Sequence, residues 1–242
     1  MSFFVVIPAR YRSTRLPGKP LIDIEGKPMI QRVYEIAKKS NALEVFVATD
    51  HQDILNCCDS FGAKAVVTST EHPSGTDRIA EAATKLDLED DALIVNLQGD
   101  EPFLNFLDIN NLYNFFVKNK SFNICTLFSK FTKDQDQNDT NLVKVWVDSK
   151  GEVKKFSRKN NLLEDKEIIK RLHIGIYAYK VKFIKQFVKW DQSKNEKIEN
   201  LEQLRAIDRK KKIGATESLS KIHIGIDTVK DLNKARKLIR NA

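Results

Sequence analysis

The chain has 242 residues, of which 41% are hydrophobic and 31% charged, with only nine Gly and six Pro. That length supports one large domain with a genuine core, and the composition excludes fibrous, repetitive or intrinsically disordered chains. The formal charge of +8 divides unevenly: residues 1–149 carry 16 basic against 21 acidic side chains, and residues 150–242 carry 25 against 12. A basic half invites a nucleic-acid reading. Its lysines, however, alternate with Glu in stretches such as KNEKIENLEQLR, which suits solvated helix faces, and the cluster RKKK at 209–212 sits at an expected helix end. No nucleic-acid partner is expected. No apolar run approaches the roughly 20 residues of a membrane helix, so no membrane insertion is expected either. The opening MSFFVVIPAR reads as a buried strand and not as a signal peptide. Three Cys, two of them adjacent (Cys57 and Cys58), give neither a disulfide framework nor a spaced metal site, which points to a reduced, cytoplasmic protein.

Along the chain, Phe3–Ile7 is a near-continuous apolar run, as in a strand covered on both faces. A helix follows at Pro28–Lys39, with Met29, Val33, Ile36 and Ala37 at helical spacing. Glu44–Thr49 is a strand, Gln52–Phe61 a helix ended by Gly62, Lys64–Thr68 a strand, Thr76–Leu86 a helix and Ala92–Leu97 a strand. The second half is less regular. Leu142–Val147 and Leu172–Tyr179 read as strands, Lys180–Val188 and Ile198–Arg209 as helices, and a strand at Ile222–Ile226 precedes a helix at Val229–Ile239. Asn160–Lys170 is polar and without period, as a mobile loop would be. Strands alternating with helices imply a mainly parallel sheet, whose ligands sit beyond the carboxyl ends of its strands. That rule directs attention to the residues after Ile7, Thr49 and Leu97.

Four stretches carry candidate chemistry. After the first strand, IPARYRSTRLPGKPL (7–21) gathers Arg10, Arg12, Arg15 and Lys19 beside Gly18. Arg forks and a Lys point charge suit a polyphosphate, although the loop lacks the Walker pattern and a basic surface turn would read alike. VNLQGDEPFL (95–104) brings Asp100 and Glu101 straight off a strand, where a carboxylate can ligate Mg²⁺ bound to triphosphate or simply end the strand in a turn. In HPSGTDRI (72–79), Ser74 or Thr76 can cap the following helix, and amides around Gly75 can read a base or ribose. In GIDTVKDL (225–232), Asp227 is either a helix-start residue beside Thr228 or a second metal-ligating carboxylate.

Taken in order, IPARYxSTRLPGKPL, VATDH, HxSGTDR, VNxQGDEP, SR, HxGIYAY, LEQLR and GIDT resemble the 3-deoxy-manno-octulosonate cytidylyltransferases, and the motifs span Phe3 to about Leu232. The resemblance implies a Rossmann-like α/β nucleotidyltransferase fold and a homodimer. It also implies a Mg²⁺-dependent reaction joining CTP to the eight-carbon sugar acid Kdo, with pyrophosphate released, for lipopolysaccharide synthesis. Within a single domain, it implies a nucleotide-binding core at about 1–120 and 212–242 and a sugar-binding and dimerisation subregion at about 121–211. Carried over by motif, Arg10, Arg15 and Lys19 hold the triphosphate, and Pro8, Ala9, Ser74 and Gly75 line the cytosine and ribose pocket. Asp100 and Asp227 bind Mg²⁺, while Gln98, Arg158, His173, Tyr177, Glu202 and Gln203 contact the sugar acid. In one respect the chain departs from the pattern: Ser157-Arg158 runs into KNNLLEDKEIIKR, where the family has a Pro-containing segment. The loop over the sugar therefore differs in composition, and 8-amino-Kdo or another sugar acid is the alternative substrate.

Overall fold

The structure, a computed structural model, describes residues 2–13, 15–160, 165, 167–220 and 224–241. Its first half is built of strands β1 (Phe3–Ala9), β2 (Glu44–Thr49), β3 (Ala65–Val67) and β4 (Leu93–Asn96), which alternate with helices α1 (Met29–Lys38), α2 (Gln52–Ser60) and α3 (Gly75–Lys85). β1 pairs in parallel with both β2 and β4, and β2 with β3. Each connection is a crossover helix, which is what parallel pairing demands. β1 and β4 are covered on both faces, so their residues are almost all buried, and the near-continuous apolar runs follow from that. α1 turns Met29, Ile30, Val33, Tyr34 and Ala37 inward, and Gly62 takes the positive φ (73°) that closes α2.

The remaining elements are α4 (Phe106–Lys118), β5 (Ile124–Ser129), β6 (Lys144–Val147), β7 (Val153–Ser157), β8 (Ile169–Lys180), α5 (Val181–Phe187), α6 (Lys194–Glu199), α7 (Leu204–Asp208), β9 (Ile213–Glu217) and α8 (Val229–Arg240). The sheet order is β3-β2-β1-β4-β8-β5-β9, with β6 on the far end of β8 and β7 on β6. β8 is the reversed strand: it runs antiparallel to β4, β5 and β6, while β5 and β9 are parallel. The architecture is thus α/β with a mostly parallel central sheet flanked by helices, as the alternation of patterns implied.

Three local readings change. The helix expected over Ile198–Arg209 is broken at Asn200, whose left-handed φ of 51° ends α6, so Glu202 and Gln203 lie in the turn before α7. A buried ion pair across the break, Arg205 to Glu196 at 2.5 and 2.8 Å, holds α7 against α6. The strand expected at Ile222–Ile226 falls partly outside the described residues, and 224–227 is irregular backbone with Ile226 buried. Of the expected Asn160–Lys170 loop, residues 161–164 and 166 lie outside the described residues, and β8 already begins at Ile169.

Candidate active site

The carboxyl ends of β1 and β4 face a cavity of about 340 Å³. It is lined by Pro8, Ala9, Arg10, Arg15 and Lys19 from β1 and its loop, Ser74 and Gly75 from the start of α3, Gln98 and Asp100 after β4, and Asp227 before α8. The two strand ends approach closely. A Cβ on Gly99 would stand 2.9 Å from the Pro8 carbonyl oxygen, so only Gly lets the β4 loop pass over β1. Gly75 packs against the Pro8 ring, where a Cβ would lie 3.3 Å from the nearest ring carbon. The loop after β1 is tied down by Tyr11, whose N–H donates to Asp50 Oδ1 (3.2 Å) and whose ring stacks on His51 at 3.8 Å between centroids.

At the basic end, Lys19 Nζ donates to Asp100 Oδ2 at 2.6 Å and to Asp227 Oδ1 at 2.9 Å, and Arg15 reaches the same Asp227 oxygen at 3.0 Å. Asp100 and Asp227 are far apart in the chain but adjacent here. The Ile226 N–H donates to the Asp100 carbonyl (2.9 Å), which ties the two segments together. Burial opposes the Lys19 charge, and the two carboxylates more than offset it, so its pKa is raised. Asp227, though partly buried, is held below the usual carboxylate range by Lys19 and Arg15. Behind them lies Glu101, with Oε2 unpartnered; burial, then the charges of Asp100 and Asp227, push its pKa up to about 8.

This donor set fits a hard divalent cation. Both carboxylates already reach one positive atom, and Mg²⁺ takes one or two carboxylates and fills its shell with water and phosphate oxygens. Among the described residues no group of three or more His, Cys, Asp or Glu forms a denser cage.

The start of α3 connects this cavity to a second group. Ser74 caps the helix, accepting from the N–H groups of Thr76 (3.1 Å) and Asp77 (3.2 Å). Its hydroxyl also meets Glu202 Oε1 at 2.7 Å and Asp77 Oδ2 at 2.6 Å, and Thr76 Oγ1 donates to Glu202 Oε2 at 2.5 Å. The single hydroxyl proton is shared between the two carboxylates, and burial raises the pKa of Glu202. Glu202, Gln203, Tyr177 and Thr76 line a second cavity of about 30 Å³, room for a water or two, and Gln203 Nε2 is buried without a partner. His173 lies beside Tyr177, 5.7 Å between rings, and burial pulls its pKa down to about 3. Gln98 is oriented by Asn96 (Nε2 to Oδ1, 2.9 Å).

Arg158 stands apart from these groups. Its guanidinium donates to the carbonyls of Glu199 (2.8 Å), Thr140 (3.1 Å) and Asn200 (3.4 Å), and its N–H to Glu199 Oε2 (2.8 Å). It lines neither cavity.

Among the cavity residues not singled out from sequence are His72 and Arg78. His72 is paired with Glu81, which also accepts from the Ser69 N–H (2.8 Å) and so pins the segment leading to Ser74. Burial opposes the Glu81 charge, but Lys85, Ser69 and His72 hold its pKa down at about 2. Arg78 is buried beneath the cavity and donates to Thr68 and to Asp50 Oδ2 (2.8 Å). Both belong to the HPSGTDR stretch, and an Arg on the apolar face of a helix is the signal that was there to find.

The cytidylyltransferase family model matches residues 4–213. The 3-deoxy-manno-octulosonate cytidylyltransferase of Thermodesulfovibrio yellowstonii is 46% identical over 97% of this chain and 96% of its own length. This chain belongs to the 3-deoxy-manno-octulosonate cytidylyltransferase family. The "3-deoxy-manno-octulosonate cytidylyltransferase 2" of Actinobacillus pleuropneumoniae is 40% identical over the full length of both chains. Among solved structures, the CMP:2-keto-3-deoxy-manno-octonic acid synthetase complexed with CTP superposes with a TM-score of 0.90 at 37% identity, covering 100% of this chain and 99% of that one. A glucose-1-phosphate thymidylyltransferase from Bacillus anthracis, at 17% identity and a TM-score of 0.70, shares the fold. The chain therefore carries the nucleotidyltransferase fold that the resemblance implied, on the α/β alternation read from its first half.

Proposed function

We propose that this chain transfers the cytidylyl group of CTP to the anomeric hydroxyl of 3-deoxy-D-manno-octulosonate (Kdo), giving CMP-Kdo and pyrophosphate. The observation that carries the reading is the convergence of Lys19, Arg15, Asp100 and Asp227 in one cavity at the carboxyl ends of β1 and β4. The sugar hydroxyl attacks the α-phosphorus, a new P–O bond forms, the bond to the β-phosphate oxygen breaks, and the hydroxyl proton is lost. Phosphoryl-type transfer needs positioning and charge stabilisation more than covalent chemistry. Arg10, Arg15 and Lys19 offset the charge that gathers on departing pyrophosphate. Pro8, Ala9, Ser74 and Gly75 form a narrow wall suited to base and ribose. Gln98, Tyr177, Glu202 and Gln203 offer hydroxyl-binding groups around the two cavities, and the family resemblance adds His173, which packs beside Tyr177, to the sugar side. Arg158, committed to three carbonyls, serves the sugar side by holding the turn of Glu199 and Asn200.

Mg²⁺ held by Asp100 and Asp227 would neutralise phosphate charge and make the sugar hydroxyl more acidic. A homodimer formed through about residues 121–211, a cytoplasmic setting and a role in lipopolysaccharide synthesis belong to the same proposal, supported by membership of the family. A pyrophosphate-release assay crossing CTP, UTP and ATP with Kdo, 8-amino-Kdo and sialic acid tests it. Turnover confined to CTP with Kdo is the expected result. A preference for 8-amino-Kdo would move the substrate to the amino sugar, and no turnover with CTP would overturn the reading.

A further inference from the structure

β5 and β8 fall out of register in the middle. Thr126 lies opposite Tyr177 and the next residue, Leu127, lies opposite Ile174, so Gly175 and Ile176 have no partner on β5. This bulge in β8 gathers three polar atoms around the buried Thr126 hydroxyl: the carbonyl of Ile176 at 2.8 Å, the carbonyl of Ile174 at 3.0 Å and His173 Nε2 at 3.0 Å.

A threonine hydroxyl carries one proton, and a carbonyl oxygen can only accept. If Thr126 gave its proton to His173, two carbonyl oxygens would face its lone pairs at hydrogen-bonding distance with no proton between them. If the proton goes to the carbonyls, a lone pair is left for His173, which must then donate from Nε2. The second arrangement satisfies every contact. A neutral imidazole with its proton on Nε2 has a bare Nδ1. That atom makes no hydrogen bond to the described residues. Phe156, edge-on at 5.0 Å, and Tyr177 hold the ring in place.

We propose that Thr126 is a positioning residue that fixes His173 as the Nε2–H tautomer, so that Nδ1 accepts a hydrogen bond from a hydroxyl of the sugar acid. This rests on the reading above that His173 faces the sugar. It gives the sugar a direction, because an acceptor at this point repels the substrate carboxylate and selects a hydroxyl. Thr126 itself touches no substrate.

Long-range ¹⁵N–¹H spectra of the intact protein, labelled at its four histidines, read the tautomer directly at neutral pH. The His173 signals, assigned by their loss in His173→Gln, are expected to show a protonated Nε2 and a bare Nδ1. The Nδ1 resonance should move when Kdo alone is added. Thr126→Val removes the acceptor at nearly constant shape and should mix the tautomers, while Thr126→Ser keeps the hydroxyl and should restore the native pattern. In kinetics, Thr126→Val should lower kcat/KM for Kdo about tenfold, the size of one hydrogen bond, with KM for CTP unchanged. A proton on Nδ1 in the unaltered protein would overturn the inference. The expected tautomer combined with no Kdo-induced shift, and no change in KM for Kdo in His173→Gln, would remove His173 from the sugar site. That outcome would overturn the substrate half of the inference and leave the nucleotide site untouched.

Discussion

Lys19→Met separates the roles that converge on one ammonium. The substitution keeps the length of the side chain and removes its charge from between Asp100 and Asp227. Lys19 has a side chain only 16% exposed, while its partners are 28% and 46% exposed. A charge-assisted hydrogen bond in a protein contributes about 1.5–3 kcal/mol. With solvent screening on the Asp227 side, the loss of folding stability should be about 1–2 kcal/mol, too little to unfold a domain. The loss in catalysis should be larger. Removing one preformed charge-stabilising contact lowers the rate on the order of 10²–10³, or about 2.7–4 kcal/mol.

A third effect has the opposite sign. Without the ammonium, Asp100 and Asp227 face each other and the buried Glu101 with only the exposed Arg15 left on Asp227, so the variant should bind a divalent cation more tightly in the absence of nucleotide. Manganese titration followed by electron paramagnetic resonance measures that affinity, pyrophosphate release measures turnover, and urea denaturation measures stability. A merely destabilised protein loses turnover and metal affinity together. The refuting results are a kcat/KM within about threefold of the unaltered enzyme, or weaker manganese binding in the variant.

Asp227→Asn and Asp100→Asn should each abolish most turnover, and the double variant should lose little more, because both act on one cation; independent, multiplying losses in Mg²⁺ titrations would refute that. Gly214→Ala should destabilise by about 1–3 kcal/mol in urea denaturation, because its Cβ would overlap the ring of Phe122. Gly175→Ala, where a Cβ meets nothing within 4 Å, should be neutral or slightly stabilising in the same measurement. His173 is held near pKa 3 against 6.5 when unfolded, so only the unfolded chain binds its proton between those values. Stability should therefore fall with falling pH in that window, by about 1.4 kcal/mol per pH unit from this group, and His173→Gln should flatten the curve between pH 6 and 4.

The parallel half of the fold was legible because two-sided burial leaves a simple trace: FFVVI, EVFVAT and ALIVNL are apolar without alternation. The other half hides its elements. β9 reads IGATE, with one β-branched aliphatic residue, and is a strand because β5 pairs with it and Phe122 covers Gly214. β7, VKKFS, carries two lysines in succession, and α4 mixes Asn and Phe around most of its circumference. At the site, the rule that ligands gather at the carboxyl ends of parallel strands was enough to bring the Lys19 loop and Asp100 to attention, whereas Asp227 stood out only by its place before the last helix. The depth at which a side chain lies is not written in its neighbours. Glu101 follows Asp100 in the same turn, yet only the folded chain buries it, and only the folded chain turns the Arg158 guanidinium onto three carbonyls.

Capping and ligand binding look like rival explanations in a sequence, and the structure decides them differently at two helices. At α8 the duties are divided: Thr228 accepts from the Asp231 N–H at 3.2 Å and Asp231 reaches back to the Thr228 N–H at 2.9 Å, a complete capping box. Asp227 is thereby released from helix-start duty, and its carboxylate turns to Lys19 and Arg15. At α3 the duties are combined: Ser74 caps the helix with its lone pairs and meets Glu202 and Asp77 with its proton. That hydroxyl belongs to the wall of the cavity at the carboxyl ends of β1 and β4, while Glu202 belongs to the turn before α7. A movement of the α3 start toward a bound nucleotide must therefore pull on Glu202 or break the bond to it. The α3 start and the turn before α7 are coupled through a single oxygen, and a Ser74→Ala change would remove the cap and the coupling at once.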